Sequence, residues 1–148
     1  MALETKSGSL EDERKPIVGA INSEFLNEMR KSINFGYRSR IREAIAVLHE
    51  VDVAELITVL SHEQRSIFMT LVGKQLPAAV FVELDDHIRR EIVEYVDINK
   101  LVTTVQELDS DDAVFLLEDL AEAEKKEVLE KIPATNRASI ERAFDFPE

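Results

Sequence analysis

Six carboxylates stand within the fifteen residues QELDSDDAVFLLEDL, positions 106–120: Glu107, Asp109, Asp111, Asp112, Glu118 and Asp119. No Lys or Arg interrupts them. Carboxylates at this density can cap helices, keep a face solvated, or hold a hard cation. Asp109, Asp111 and Asp112 fall where a helix is expected to begin, just before the apolar run 113–117. An acid there accepts free backbone N–H groups and complements the helix dipole, worth roughly 0.5–2 kcal/mol for a good cap. The same dipole opposes a bare cation, so a metal at this turn needs carboxylates from elsewhere. Capping and binding are compatible, because a carboxylate has two oxygens. Glu118 and Asp119 read as plain surface acids. Phe115, Leu116 and Leu117 read as core or hairpin contacts.

No other constellation suggests chemistry. His49, His62 and His87 are scattered without metal-ligand spacing. Gly73-Lys74 lacks the upstream glycine of a phosphate loop. No nucleophile, base and orienting acid can be assembled, so the chain reads as a non-enzyme. The absence of Cys excludes disulfides and thiolate zinc sites and agrees with a reducing compartment.

Net charge is −12, and its placement is uneven. Residues 83–130 hold 16 acids and 5 bases, while the other hundred residues are nearly balanced. Nucleic acid is a poor partner for such a surface, because its phosphates are repelled. Metal cations and basic protein surfaces remain. A smaller basic cluster, RKSINFGYRSRIR, occupies residues 30–42 and reads as a solvated helix end and loop. The longest apolar run, LPAAVFV, is far short of the roughly 20 residues of a membrane span. The N-terminus lacks the apolar core of a signal peptide.

The elements that position these acids follow a ruler of twelve residues. Leu48, Leu60, Val72, Leu84, Val96, Leu108, Leu120, Ile132 and Phe144 are all apolar. The residues three and four before each are apolar with few exceptions, and offsets of 0, −3 and −4 share one helix face. The residue after each ruler position is usually a turn or cap type: His49, Ser61, Gly73, Asp85, Asp97, Asp109, Ala121, Pro133. With Gly36, these predict breaks between about ten short helices. Helices this short are marginal alone in water and must bury their stripes against neighbours. The predicted fold is all-α, a superhelix of helices stacked as hairpins with a 24-residue (2 × 12) repeat and no strand. Residues 1–14 are predicted as a disordered tail. Residues 15–36 are predicted as an N-terminal helix starting at Pro16 and ending at Gly36.

The pieces VDVAELITVLSHEQRSIFMTLV, ELDDHIRREIVEYV and QELDSDDAVFLLEDLAEAEKKEVLEKI, with the ending Phe146, Pro147, Glu148, resemble the cytosolic N-terminal domain of MgtE-type magnesium transporters. The resemblance implies that residues 37–146 form the helical domain. It also implies that 147–148 open a linker into paired CBS domains and a membrane domain. It implies a regulatory role at the cytoplasmic side of the cell membrane, within a homodimeric parent. This fragment is expected to be soluble, monomeric and not inserted in the bilayer. It further implies that at high internal Mg²⁺ ions bridge the acidic faces of this domain and the CBS domains, and that the pore is then held shut. Asp111 and Asp112, with Asp109, are the metal-site residues carried over. The expected cofactor is Mg²⁺, held weakly and shared with the partner domain. Two positions depart from the family pattern: Phe115 stands where another acid is common, and Ala79 occupies a second acidic position. The alternative is a stand-alone helical interaction module whose acidic face binds a basic partner.

Overall fold

The twelve-residue spacing reappears in the helix boundaries. The computed structural model describes residues 21–145. Within them lie ten α-helices and no strand: α1 (Ser23–Phe35), α2 (Arg38–Ala46), α3 (Glu50–Val59), α4 (His62–Val72), α5 (Ala78–Glu83), α6 (Asp86–Val93), α7 (Ile98–Glu107), α8 (Ser110–Leu117), α9 (Glu122–Lys131) and α10 (Ala134–Asp145). A 3-10 turn, Gly73–Gln75, precedes α5. Breaks occur at all nine expected positions, from Gly36 to Pro133. The tail 1–14, Pro16 and the ending 146–148 lie outside the described residues.

Local chemistry explains most of the boundaries. Asn22 starts α1 by accepting from Phe25 N at 2.8 Å, and Gly36 ends it in the left-handed conformation, φ 75°. The described helix therefore begins at Ser23. Ser61 and Gln64 form a reciprocal capping box, with both bonds at 3.1 Å. Asp97 accepts from Lys100 N at 2.9 Å and Asp109 from Asp112 N at 3.0 Å. Asp85 occupies the same cap position without a side-chain bond. Pro77 shortens α5 to six residues, because no helix continues through it from the preceding turn.

The described residues fall into two compact units that divide between Val72 and Gly73. In the first, α1 packs on α2 and α4, and α2 packs on α4. In the second, α5 lies against α7 and α8, α7 against α8 and α9, and α8 against α10. Several of these partners lie two helices apart, so contacts recur at about 24 residues. Ruler residues and those before them supply the buried positions, including Leu56, Ile57, Phe68, Val80, Phe81, Ile92, Leu116 and Leu117. Fully burying side chains of this size contributes about 1.5–3 kcal/mol each.

Candidate functional site

The helix ends of the ruler are closed by a recurring arginine. A helix leaves its last carbonyls without intrahelical partners. Arg65 donates to Leu60 O at 2.6 Å and to Ile57 O at 3.3 Å. Arg89 donates to Leu84 O at 2.7 Å and Phe81 O at 3.5 Å. Arg137 donates to Ile132 O at 3.2 Å and Leu129 O at 2.8 Å. Each arginine stands five residues after a ruler position and reaches back to that residue's carbonyl. They recur at 65, 89 and 137, on the second helix of a hairpin. The remaining place in this series, 113, is a fully buried alanine. The signal is present in the sequence as Arg at ruler position plus five.

Arg89 is also the centre of a charge cluster. It is 1% exposed. Its Nε donates to Asp119 Oδ2 and its Nη2 to Asp86 Oδ1 at 2.6 Å. Asp119 further faces Arg90 at 3.6 Å. The Phe115 ring covers the guanidinium at 4.3 Å. Two expectations change here. Asp119 is not a plain surface acid, since its side chain is 9% exposed and ion-paired across 30 residues. For Phe115 the core alternative fails and the contact alternative remains: it is 44% exposed, with its ring lying on a buried cation of another helix. Leu116 and Leu117 are core, and Glu118 is exposed, as expected.

The turn 108–112 is built differently. Asp109 Oδ1 is engaged as the cap of α8. Asp109 and Asp111 are exposed, and Asp112 is half-buried. Among the described residues, no Lys, Arg or His forms an ion pair with any of the three. Burial, followed by the nearby charges of Asp109 and Asp111, pushes the Asp112 carboxyl above the usual carboxylate range. Its negative charge is therefore carried at a cost. Among the described residues, no three His, Asp or Glu side chains form a group that could hold a metal ion alone. Two free carboxylates on one turn still suit half of a shared Mg²⁺ site. That ion keeps several waters and usually takes only one or two protein carboxylates.

Other features carry less. A shallow recess of about 330 Å³ is lined by Lys74, Asp97, Asn99, Lys100 and Thr103. Lys100 is drawn onto Leu76 O at 2.7 Å, and burial pushes its ammonium below the usual lysine range, with Glu107 opposing. The recess mixes both signs and selects no ligand charge. His62 and His87 are exposed, and His49 fills the cap position before α3. No described helix is long and apolar enough to cross a membrane.

Against known proteins, the model of one family, described as the MgtE intracellular N domain, matches residues 48–148. No curated protein and no solved structure matches the chain.

Proposed function

The chain belongs to the MgtE intracellular N domain family, and on that premise we propose that it is the Mg²⁺-sensing regulatory domain of a magnesium transporter. Its acidic face docks onto CBS domains of the same protein through bridging Mg²⁺, and docking holds the pore shut. The family is one of transporter domains, not of enzymes.

The observation that carries the reading is the absence, among the described residues, of any ion pair at Asp109, Asp111 and Asp112, in a fold that ties Asp86 of the equivalent turn, and the more distant Asp119, to Arg89. An acidic surface repels another acidic surface until cations screen or bridge it. Asp111 and Asp112 would take outer contacts to a hydrated ion, and the partner domain would complete the shell. When internal Mg²⁺ falls, repulsion separates the faces. Because few carboxylates converge, the isolated chain should bind Mg²⁺ with half-saturation in the millimolar range. Calorimetry giving a stoichiometric site below about 10 µM, the range of preformed many-ligand cages, would contradict this.

The decisive test is protease protection of the full transporter across a Mg²⁺ titration. The double variant Asp111→Asn with Asp112→Asn should shift the midpoint to higher Mg²⁺. An unchanged midpoint would leave the two residues as helix-terminal acids alone. Protection by a basic protein in place of Mg²⁺ would support an interaction module instead.

A further inference from the structure

The Mg²⁺ reading leaves the basic segment 30–42 without a role. It carries five bases and no acid. α1 ends there, Gly36 turns the chain in the left-handed conformation, and α2 starts at Arg38. This reversal is open to glycine at no steric cost. It sets Phe35 and Tyr37 side by side, with ring centroids 5.7 Å apart and planes at 23°. Stacked aromatic rings are ordinarily core or interface material. Here they are 69% and 46% exposed.

The bases surround this pair. Arg40 lies 4.9 Å over the Tyr37 ring. Arg38 is held by Leu71 O at 2.8 Å and Arg30 by Val59 O at 2.9 Å. Carbonyl bonds position a guanidinium without neutralising it. Lys31, Arg38, Arg40 and Arg42 are exposed. Among the described residues, no carboxylate forms an ion pair with any of the five bases. Glu28 and Glu43 are the nearest acids on either side in the sequence.

We propose that this tip rests on an anionic phospholipid surface. Phe35 and Tyr37 enter the headgroup region, and Lys31, Arg38, Arg40 and Arg42 meet lipid phosphates. Aromatic rings favour the membrane–water interface, and bases near an anionic leaflet add to binding. A specific protein interface needs about 800 Å² per partner with a shape-matched core. Two rings projecting from a turn among exposed bases offer no such groove, whereas a fluid headgroup layer demands no complementary shape. The family description, matched over residues 48–148, places the adjoining domain inside the cell, on the side of the membrane whose leaflet carries anionic lipid. The proposal stands independently of Mg²⁺ sensing and needs no divalent ion.

The test is sedimentation of the intact chain with vesicles of phosphatidylcholine alone or mixed with phosphatidylserine, in chelator. Binding is expected only to the anionic vesicles and should fall as salt rises. Replacing Lys31, Arg40 and Arg42 together by Gln should weaken it about a hundredfold, at about fivefold per charge. The pair Phe35→Ser with Tyr37→Ser should weaken it at least about tenfold, because the rings no longer bury apolar area. All five positions are exposed, so helicity by circular dichroism should be unchanged. Equal binding to neutral vesicles, no binding to anionic ones, or anionic binding untouched by both variants would overturn the proposal. So would tighter capture by polyglutamate than by anionic vesicles at the same ionic strength, which would assign the tip to an acidic protein.

Discussion

The turns at 84–89 and 108–113 occupy equivalent places one hairpin apart, and both are rich in acid: LDDHIR against LDSDDA. The first is closed. Arg89 ties the end of α5 to the start of α6, and Asp86 and the distant Asp119 neutralise it beneath Phe115. The second is open. Ala113 stands where the arginine would be, Asp109 caps α8, and among the described residues Asp111 and Asp112 have no ion-pair partner. Acid content therefore does not distinguish a turn tied into the fold from one left unpaired. The presence of an internal base does.

The comparison breaks most sharply at Arg89. Arg89→Ala leaves the nearly buried Asp119 with only the exposed Arg90, at 3.6 Å, and the Leu84 carbonyl without this donor. It should cost about 3–5 kcal/mol in urea unfolding, the usual penalty for removing one partner of a buried ion pair. A loss under about 1 kcal/mol would show that water reaches the cluster and that the two turns are alike. Asp86→Asn, at an acid whose side chain is 63% exposed, should cost far less, within about 1 kcal/mol. It should also leave the Mg²⁺ midpoint of the full transporter where it is.

Asp109→Ala should destabilise by about 1 kcal/mol through the lost cap, with Asp109→Asn restoring most of it. If Ala and Asn behaved alike, the bond to Asp112 N would not be holding α8. Phe115→Leu should cost about 0.5–1 kcal/mol, because a cation–π contact is lost at a half-exposed ring. Lysine or arginine side chains elsewhere should not feel that change.

The smallest expected effect has the opposite sign. The Asp112 carboxyl is held above its ordinary value by burial and by Asp109 and Asp111. A raised acid binds its proton more tightly when folded, so it favours unfolding once ionised. That unfavourable contribution is absent below the ordinary carboxylate range. It develops as pH rises through the window up to the raised value, and it is complete above that. Asp112→Asn should thus stabilise the fold slightly at neutral pH and flatten the pH dependence on the acid side. A variant less stable than wild type at neutral pH would mean that the charge itself supports the turn.

Much of the helical framework is legible because its determinants are local. An apolar residue every twelve positions, and a cap three residues before its N–H partner, act within one or two helical turns. Ser61, Asp97 and Asp109 are caps on this ground alone, and the nine breaks follow. Asp85 shows the limit: the residue type is right, but no side-chain cap forms. The charged site is less legible, because a carboxylate carries no mark of its partner. Asp119 lies in the same acidic stretch as Asp111, and composition treats them alike. Only folding brings Asp119 to Arg89, thirty residues away, and leaves Asp111 in solvent. Phe115 is similar: an aromatic beside two leucines reads as core or as a hairpin contact, and the buried cation that decides between them has no signature in the adjacent residues.

By itself, the sequence determined an all-α chain, the breaks between its helices, and the concentration of negative charge in 83–130. Each depends on periodicity, turn chemistry or counting. The tertiary structure alone decided which of those charges are spent inside the fold and which remain available. Pairing energy depends on distance and burial, and helices thirty residues apart set both only when they pack.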